Sequence, residues 1–133
     1  MERLGIVSIS DVIPLINSEK IANVHREKLD GKKKFVKKQR VEINGYMVGI
    51  NSLRLATFKT KGLKCVKCGV VGQYFAIERK NDSNHLNLYA RYDGEEILMT
   101  HDHIKPKSKG GNNNLNNTQT MCIVCNREKA DKY

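Results

Sequence analysis

THDHIKPKSKGGNNNLNNTQTMCIVCNREK, residues Thr100–Lys129, is the stretch that decides the fold. Asp102 stands beside His103, a Lys-, Gly- and Asn-rich loop follows over 104–114, and Cys122-x-x-Cys125 falls directly before Asn126. On an extended strand, adjacent side chains point to opposite faces, so Asp102 and His103 serve one point only if the chain turns after them. Pro106 and Gly110-Gly111 supply that turn. A helix is expected from about Cys125 or Asn126 to the C-terminus, with the cysteine pair fixing its start.

The second cysteine pair has a twin upstream, Cys65-x-x-Cys68. A two-residue spacer lets two soft thiolates face one point, and two such knuckles in a short chain read as one tetrahedral Zn²⁺ site. A redox pair needs no second copy, and disulfides are not expected without an export signal. Structural zinc contributes on the order of 10 kcal/mol of coupled folding free energy. That matters in a chain of 133 residues with only 6% aromatic side chains and little core to spare. The site ties residues near 65 to residues near 122.

Outward from the knuckles, alternation and turn signals give short antiparallel strands. Residues 73–79, 85–92 and 95–101 read as strands, with Asp93-Gly94 joining the last two as a hairpin. Asn44-Gly45 closes a second hairpin over 40–50. No element is assigned to 53–61, which is mixed and basic. Ser18 caps a helix expected over 19–29, with Ile21, Val24 and Leu29 on one side. Pro14 excludes one unbroken helix from Asp11. The organisation expected is a helical element and basic linker over 1–40 and a second unit over 41–133.

The chain carries 24 basic and 14 acidic residues, a net charge of +10. Residues 26–40 supply +6 of it through Arg26, Lys28, Lys32, Lys33, Lys34, Lys37, Lys38 and Arg40, set against Glu27 and Asp30. Such an excess favours a polyanionic partner, because each neutralised phosphate releases a condensed counterion. Lys32, Lys33, Lys34, Lys37, Lys38 and Arg40, with Lys105, Lys107 and Lys109 of the long loop, are candidates to follow a nucleic-acid backbone, or they form a solvated linker. No stretch approaches the roughly 18 apolar residues of a membrane helix, and no apolar leader follows Met1. No membrane and no small-molecule substrate is expected, and the location expected is the cytoplasm of a bacterial or phage-infected cell.

Phosphodiester hydrolysis needs a base near neutral pKa, which imidazole provides, and a hard cation to neutralise charge on phosphate. Such a cation takes one or two oxygen ligands from protein. The pattern Asp-His-Ile-x-Pro-x-Ser-x-Gly-Gly, then Asn-x-Gln, then Cys-x-x-Cys-Asn-x-x-Lys resembles the HNH nucleases, the ββα-metal fold, in their zinc-stapled branch. It covers roughly residues 62–132. The resemblance implies an α+β fold: an HNH core of short antiparallel strands and a C-terminal helix, stapled by four cysteines and preceded by a helical and hairpin extension. It implies His103 as general base, Asp102 and Asn126 as ligands of Mg²⁺ or Mn²⁺, and Asn117 as the central Asn that holds the loop. Register to Gln119 favours Asn117 over Asn116, and Thr118 stands where the family often has Leu. Lys129 would contact phosphate or support the loop, His101 is auxiliary, His85 packs, and His25 is exposed.

The activity implied is cleavage of DNA, double-stranded by expectation, to 5′-phosphate and 3′-hydroxyl ends. A homodimer would allow double-strand cutting. Two other readings stay open: a catalytically inactive zinc-containing nucleic-acid-binding module, and a zinc-ribbon adaptor for other proteins.

Overall fold

A computed structural model describes residues 1–22, 25–27 and 33–133. In chain order the elements are β1 (Glu2–Ser8), α1 (Ile9–Val12), β2 (His25–Glu27), β3 (Lys33–Phe35), β4 (Arg40–Ile43), β5 (Tyr46–Gly49) and α2 (Leu53–Lys61). They continue as β6 (Gly72–Lys80), β7 (Ser83–Tyr92), β8 (Glu95–His103), β9 (Thr118–Cys122) and α3 (Ile123–Lys129). The fold is mixed α and β with antiparallel sheets, as the alternation predicts. One five-stranded sheet has the order β1-β6-β7-β8-β9, and β2-β3 and β4-β5 form separate two-stranded ribbons.

The hairpins follow from backbone chemistry. Asn44-Gly45 has φ of 51° and 86°, and Asp93-Gly94 has φ of 53° and 80°. Two consecutive positive φ values make the tight turn whose twist matches paired strands, and Asn-Gly and Asp-Gly adopt it at least cost. Asn81 and Asp82 do the same between β6 and β7. Side chains alternate about β6 and β7, so Phe75, Ile77, Leu86 and Leu88 meet Val12, Val48, Leu55, Phe58 and Met99 in one buried cluster.

Three expectations are corrected. The helix expected over 19–29 does not form: Glu19 and Lys20 lie in bends, and His25–Glu27 is strand β2. Asn17 Oδ1 accepts from the amides of Glu19 and Lys20, both at 3.1 Å, and Asn51 Nδ2 donates to the Lys20 carbonyl at 2.9 Å. Those groups are therefore spent outside a helical ladder. Val24, Leu29 and Lys32 lie outside the described residues, while Lys33 and Lys34 fall in β3. The N-terminal element expected over 1–40 also begins with a strand, β1, at the edge of the main sheet and paired with β6.

The segment 53–61 is helix α2. Ser52 Oγ accepts from the Leu55 amide at 3.1 Å as its cap, and Gly62, at φ 102°, ends it. Leu55, Ala56, Thr57 and Phe58 are its buried face. Finally, α3 starts earlier than the sequence suggests because Cys122 Sγ caps it, accepting from the Cys125 amide at 3.4 Å. It stops at Lys129 because Ala130 takes φ 51°. Among the described residues no helix is long and apolar enough to cross a membrane.

Candidate active site and metal centre

The four cysteines come together as the spacing predicts. Their sulfurs all lie within 4.8 Å of one another, and Cys68 and Cys122 Sγ are 3.8 Å apart. A tetrahedral Zn²⁺ with Zn–S bonds near 2.3 Å sets its ligands about 3.8 Å apart, so the donor set fits zinc in kind and spacing. Backbone pairing builds the cluster: Gly69 N donates to Cys65 O at 3.0 Å, Cys65 N to Val70 O at 2.8 Å, and Val66 N to Thr120 O at 3.1 Å.

Burial pushes the Cys122 and Cys125 thiols up, and the neighbouring sulfurs push Cys125 further. Burial also acts on Cys65, but backbone amides of Cys68, Cys122 and Lys67 draw its thiol down to about 6. Four thiolates in this volume repel one another, and a cation is what lets all four ionise together.

The second group of residues sits where β8 ends against α3. Asp102 is buried, and its carboxylate accepts from Gln119 Nε2 at 3.0 Å, across the β8–β9 register. Lys129 Nζ, from α3, lies 3.1 Å from Asp102 Oδ2 and donates to the His103 carbonyl at 3.1 Å. One turn earlier on α3, Asn126 Nδ2 donates to Thr100 Oγ1 at 2.8 Å and to the His101 carbonyl at 3.3 Å. Asp102, Asn126, His101, His103, Pro106 and Lys107 help to line one open cleft of about 240 Å³. The cysteine pair before Asn126 thus anchors the helix turn that carries it.

His101 and His103 lie two residues apart on β8, with ring centroids 5.7 Å apart. Burial lowers the His101 pKa to about 4, aided by His103 and Arg54 and opposed by Asp102, so its imidazole is neutral at physiological pH. His103 Nε2 lies 2.8 Å from Asn113 Oδ1. Asn113 carries no assignment in the sequence reading, because a run of three Asn in a loop gives no clue to which one turns inward. The same holds for Gln119, whose cross-strand place beside Asp102 appears only once β8 and β9 are paired.

Asn117 closes the loop that leaves β8. Its Nδ2 donates to Lys105 O at 3.1 Å and to Asn112 O at 2.9 Å, and its Oδ1 accepts from Lys105 N at 2.9 Å. Its own carbonyl accepts from Ile104 N at 2.8 Å. Asn116 makes none of these contacts.

The Gly110-Gly111 pair is explained by space as well as conformation. Gly110 has φ 89°, and a Cβ on Gly111 would stand 1.8 Å from the Lys105 carbonyl oxygen. That neighbour is backbone and cannot yield without moving the loop. Gly111→Ala is therefore expected to cost about 1–3 kcal/mol or more. The change should also displace Asn113 from His103. Comparing the melting temperature and the His103 ring chemical shift with those of the parent protein checks both; unchanged values would show that the loop tolerates a methyl group there.

The basic candidates divide. Lys37, Lys38 and Arg40 are exposed beside the β4–β5 hairpin, and Lys105, Lys107 and Lys109 are exposed on the loop, Lys107 lining the cleft. His85 lies on β7, away from the cleft, in a groove with Arg54.

Residues 92–132 match the family described as HNH endonuclease. A Bos taurus protein described as a DNA annealing helicase and endonuclease is 49% identical over 46 residues, 34% of this chain. The chain spans about 4% of that relative's length. No solved structure matches the chain.

Proposed function

Because residues 92–132 belong to the HNH endonuclease family, we propose that this chain is a metal-dependent endonuclease that hydrolyses DNA phosphodiester bonds. The observation that carries the reading is the single cleft onto which Asp102, His103 and Asn126 all open. A DNA substrate is also in keeping with the bovine relative, a DNA annealing helicase and endonuclease by description, and with the net charge of +10.

In this reading His103 is the general base. The Asn113 amide, as oriented, accepts from Nε2–H, so Nδ1 is the atom left to take a proton from water. Asn117 holds the loop on which Asn113 sits, and so orients the base indirectly. Asp102 and Asn126 would hold one divalent cation: a carboxylate and an amide oxygen are hard donors of the kind Mg²⁺ and Mn²⁺ prefer. The Asn126 nitrogen is already engaged with Thr100 and His101, which leaves its oxygen for that role. Bound there, the cation would supply charge neutralisation at phosphate. Lys129, 3.1 Å from Asp102 Oδ2, would contact phosphate or support the loop. The four cysteines would hold structural Zn²⁺, and the ends expected are 5′-phosphate and 3′-hydroxyl.

One contact favours a second reading, a catalytically inactive zinc-containing nucleic-acid-binding module: the Lys129–Asp102 ion pair already satisfies the carboxylate. Supercoiled plasmid decides between them. The nuclease converts it to nicked circles with Mg²⁺ or Mn²⁺ and loses that ability on Asp102→Ala. A folded, zinc-loaded protein that binds plasmid but never nicks it with either ion is the inactive module.

A further inference from the structure

A second, larger groove of about 430 Å³ meets the cleft at His101 and His103, which line both. Its far wall is built from residues outside 92–132: Lys38 and Arg40 beside the first hairpin, Arg54 in the first turn of α2, and His85 on β7. We propose that this groove is a phosphodiester channel that grips the nucleic-acid backbone to one side of the phosphate being cut. It rests on the nuclease reading only for the word "cut"; the grip itself does not require catalysis.

Arg54 carries the argument. Its guanidinium is partly buried and donates to Asn87 Oδ1 at 3.0 Å and to the Leu86 carbonyl at 2.8 Å. Both acceptors are neutral. Among the described residues the ion pairs are Arg3 with Glu78 and Glu96, and Lys129 with Asp102, so Arg54, Lys38 and Arg40 are outside all of them. Burying a cation without an anion is costly, and a bound phosphate would supply the missing counter-charge. The lining includes one acidic residue, Asp82, in the β6–β7 turn.

The field has an internal reporter. Burial lowers the His85 pKa first, and then Arg54, Lys38, Lys80 and Arg40 lower it further, four cations acting on one ring. The two hydrogen bonds that Arg54 donates to β7 also pre-orient its planar fork, the geometry that matches phosphate. A base-reading pocket would instead present aromatic faces for stacking, and among the described residues the groove is lined by none apart from imidazoles.

The test uses the full zinc-loaded chain carrying His103→Ala, without Mg²⁺ or Mn²⁺, so that binding is read apart from cleavage. Two probes have the same bases: a short oligothymidylate, and its methylphosphonate analogue with an uncharged backbone. The phosphodiester strand is expected to shift the His85 ring and Arg54 guanidinium resonances, while the analogue leaves them in place. In Lys38→Gln/Arg40→Gln, two exposed changes that leave the core alone, the slope of log K against log salt should fall by about 0.7 per lost contact.

Equal binding of the uncharged strand would overturn the proposal in favour of a base pocket. An unchanged slope in the double variant, or shifts confined to other residues, would overturn it as well. Failure to nick plasmid, by contrast, bears on the nuclease reading and leaves this measurement intact.

Discussion

His103→Ala is expected to lower the rate of plasmid nicking by about 10²-fold or more while leaving DNA affinity almost unchanged. General base catalysis commonly contributes 10²–10⁴-fold, and the imidazole is the group proposed for it in this cleft. Affinity should hold because phosphate grip is assigned to lysines and arginines, none of which touches the His103 ring among the described bonds. The half-buried ring is hydrogen-bonded to Asn113, itself only half-buried and open to water, so the fold should survive its removal.

Asn113→Ala gives the companion result. Asn113 acts through His103 as a positioning residue, and loss of such an orienting partner commonly costs 10–100-fold. The signature is a lower kcat at constant KM. His101→Ala should do less, since His101 is auxiliary in this reading. Equal nicking by His103→Ala and the parent protein would remove His103 from the role of base, whatever the other variants do.

The parts of the site that were legible in the sequence are those held by local spacing. Two C-x-x-C knuckles had to converge because each already faces its two sulfurs to one point, and Asn126 had to follow because it is covalently next to Cys125. Asp102 and His103 were legible as types, and Asn117 through its register with Gln119. Turn chemistry was equally direct: Asn44-Gly45 and Asp93-Gly94 take the positive φ values those pairs adopt readily.

What escaped was set by distant partners. The helix expected over 19–29 has sound apolar spacing, yet Asn17 and Asn51 capture the backbone groups it needs, and Asn51 lies thirty-one residues from Lys20. The edge position of β1 depends on pairing with a strand some seventy residues away. α2 was masked by its Lys and Arg content, although Ser52 followed by Leu55, Ala56 and Phe58 carries a cap and an apolar face. The groove beside the cleft was invisible for the same reason: Lys38, Arg54 and His85 have no sequence relation until α2 and β7 bring them together.

Removing the metal proposed for the four cysteines is expected to have the largest effect on stability, and Cys122→Ser separates ligation from helix capping. Cys122 does two jobs: its sulfur belongs to the cluster, and it caps α3 through the Cys125 amide. Serine is among the best N-cap residues, so the substitution keeps the cap while it removes the thiolate and puts a hydroxyl at a buried core position. Structural zinc contributes on the order of 10 kcal/mol, comparable to the whole stability of a domain of this size. A loss of several kcal/mol, at roughly 3–5 °C per kcal/mol for such a chain, lowers the melting temperature by at least ~15 °C.

The damage should be uneven. β1, β6 and β7 are held by their own ladder and supply none of the four sulfurs, although their Phe75, Ile77, Leu86 and Leu88 share one core with Cys65, Cys122 and Cys125. β9 and α3 carry two of the sulfurs between them: β9 joins the 62–72 segment through Val66 N to Thr120 O and through Thr120 Oγ1 to Gly62 O at 2.6 Å, and α3 follows it directly. Amide exchange should therefore accelerate first in β9 and α3, carrying Asn126 and Lys129 away from Asp102, so that nicking fails before the sheet melts. Chelating the parent protein should reproduce the pattern, and zinc should restore it there but not in Cys122→Ser. A chelated parent that melts at its original temperature, with α3 still protected, would mean that the four sulfurs meet for some reason other than a metal.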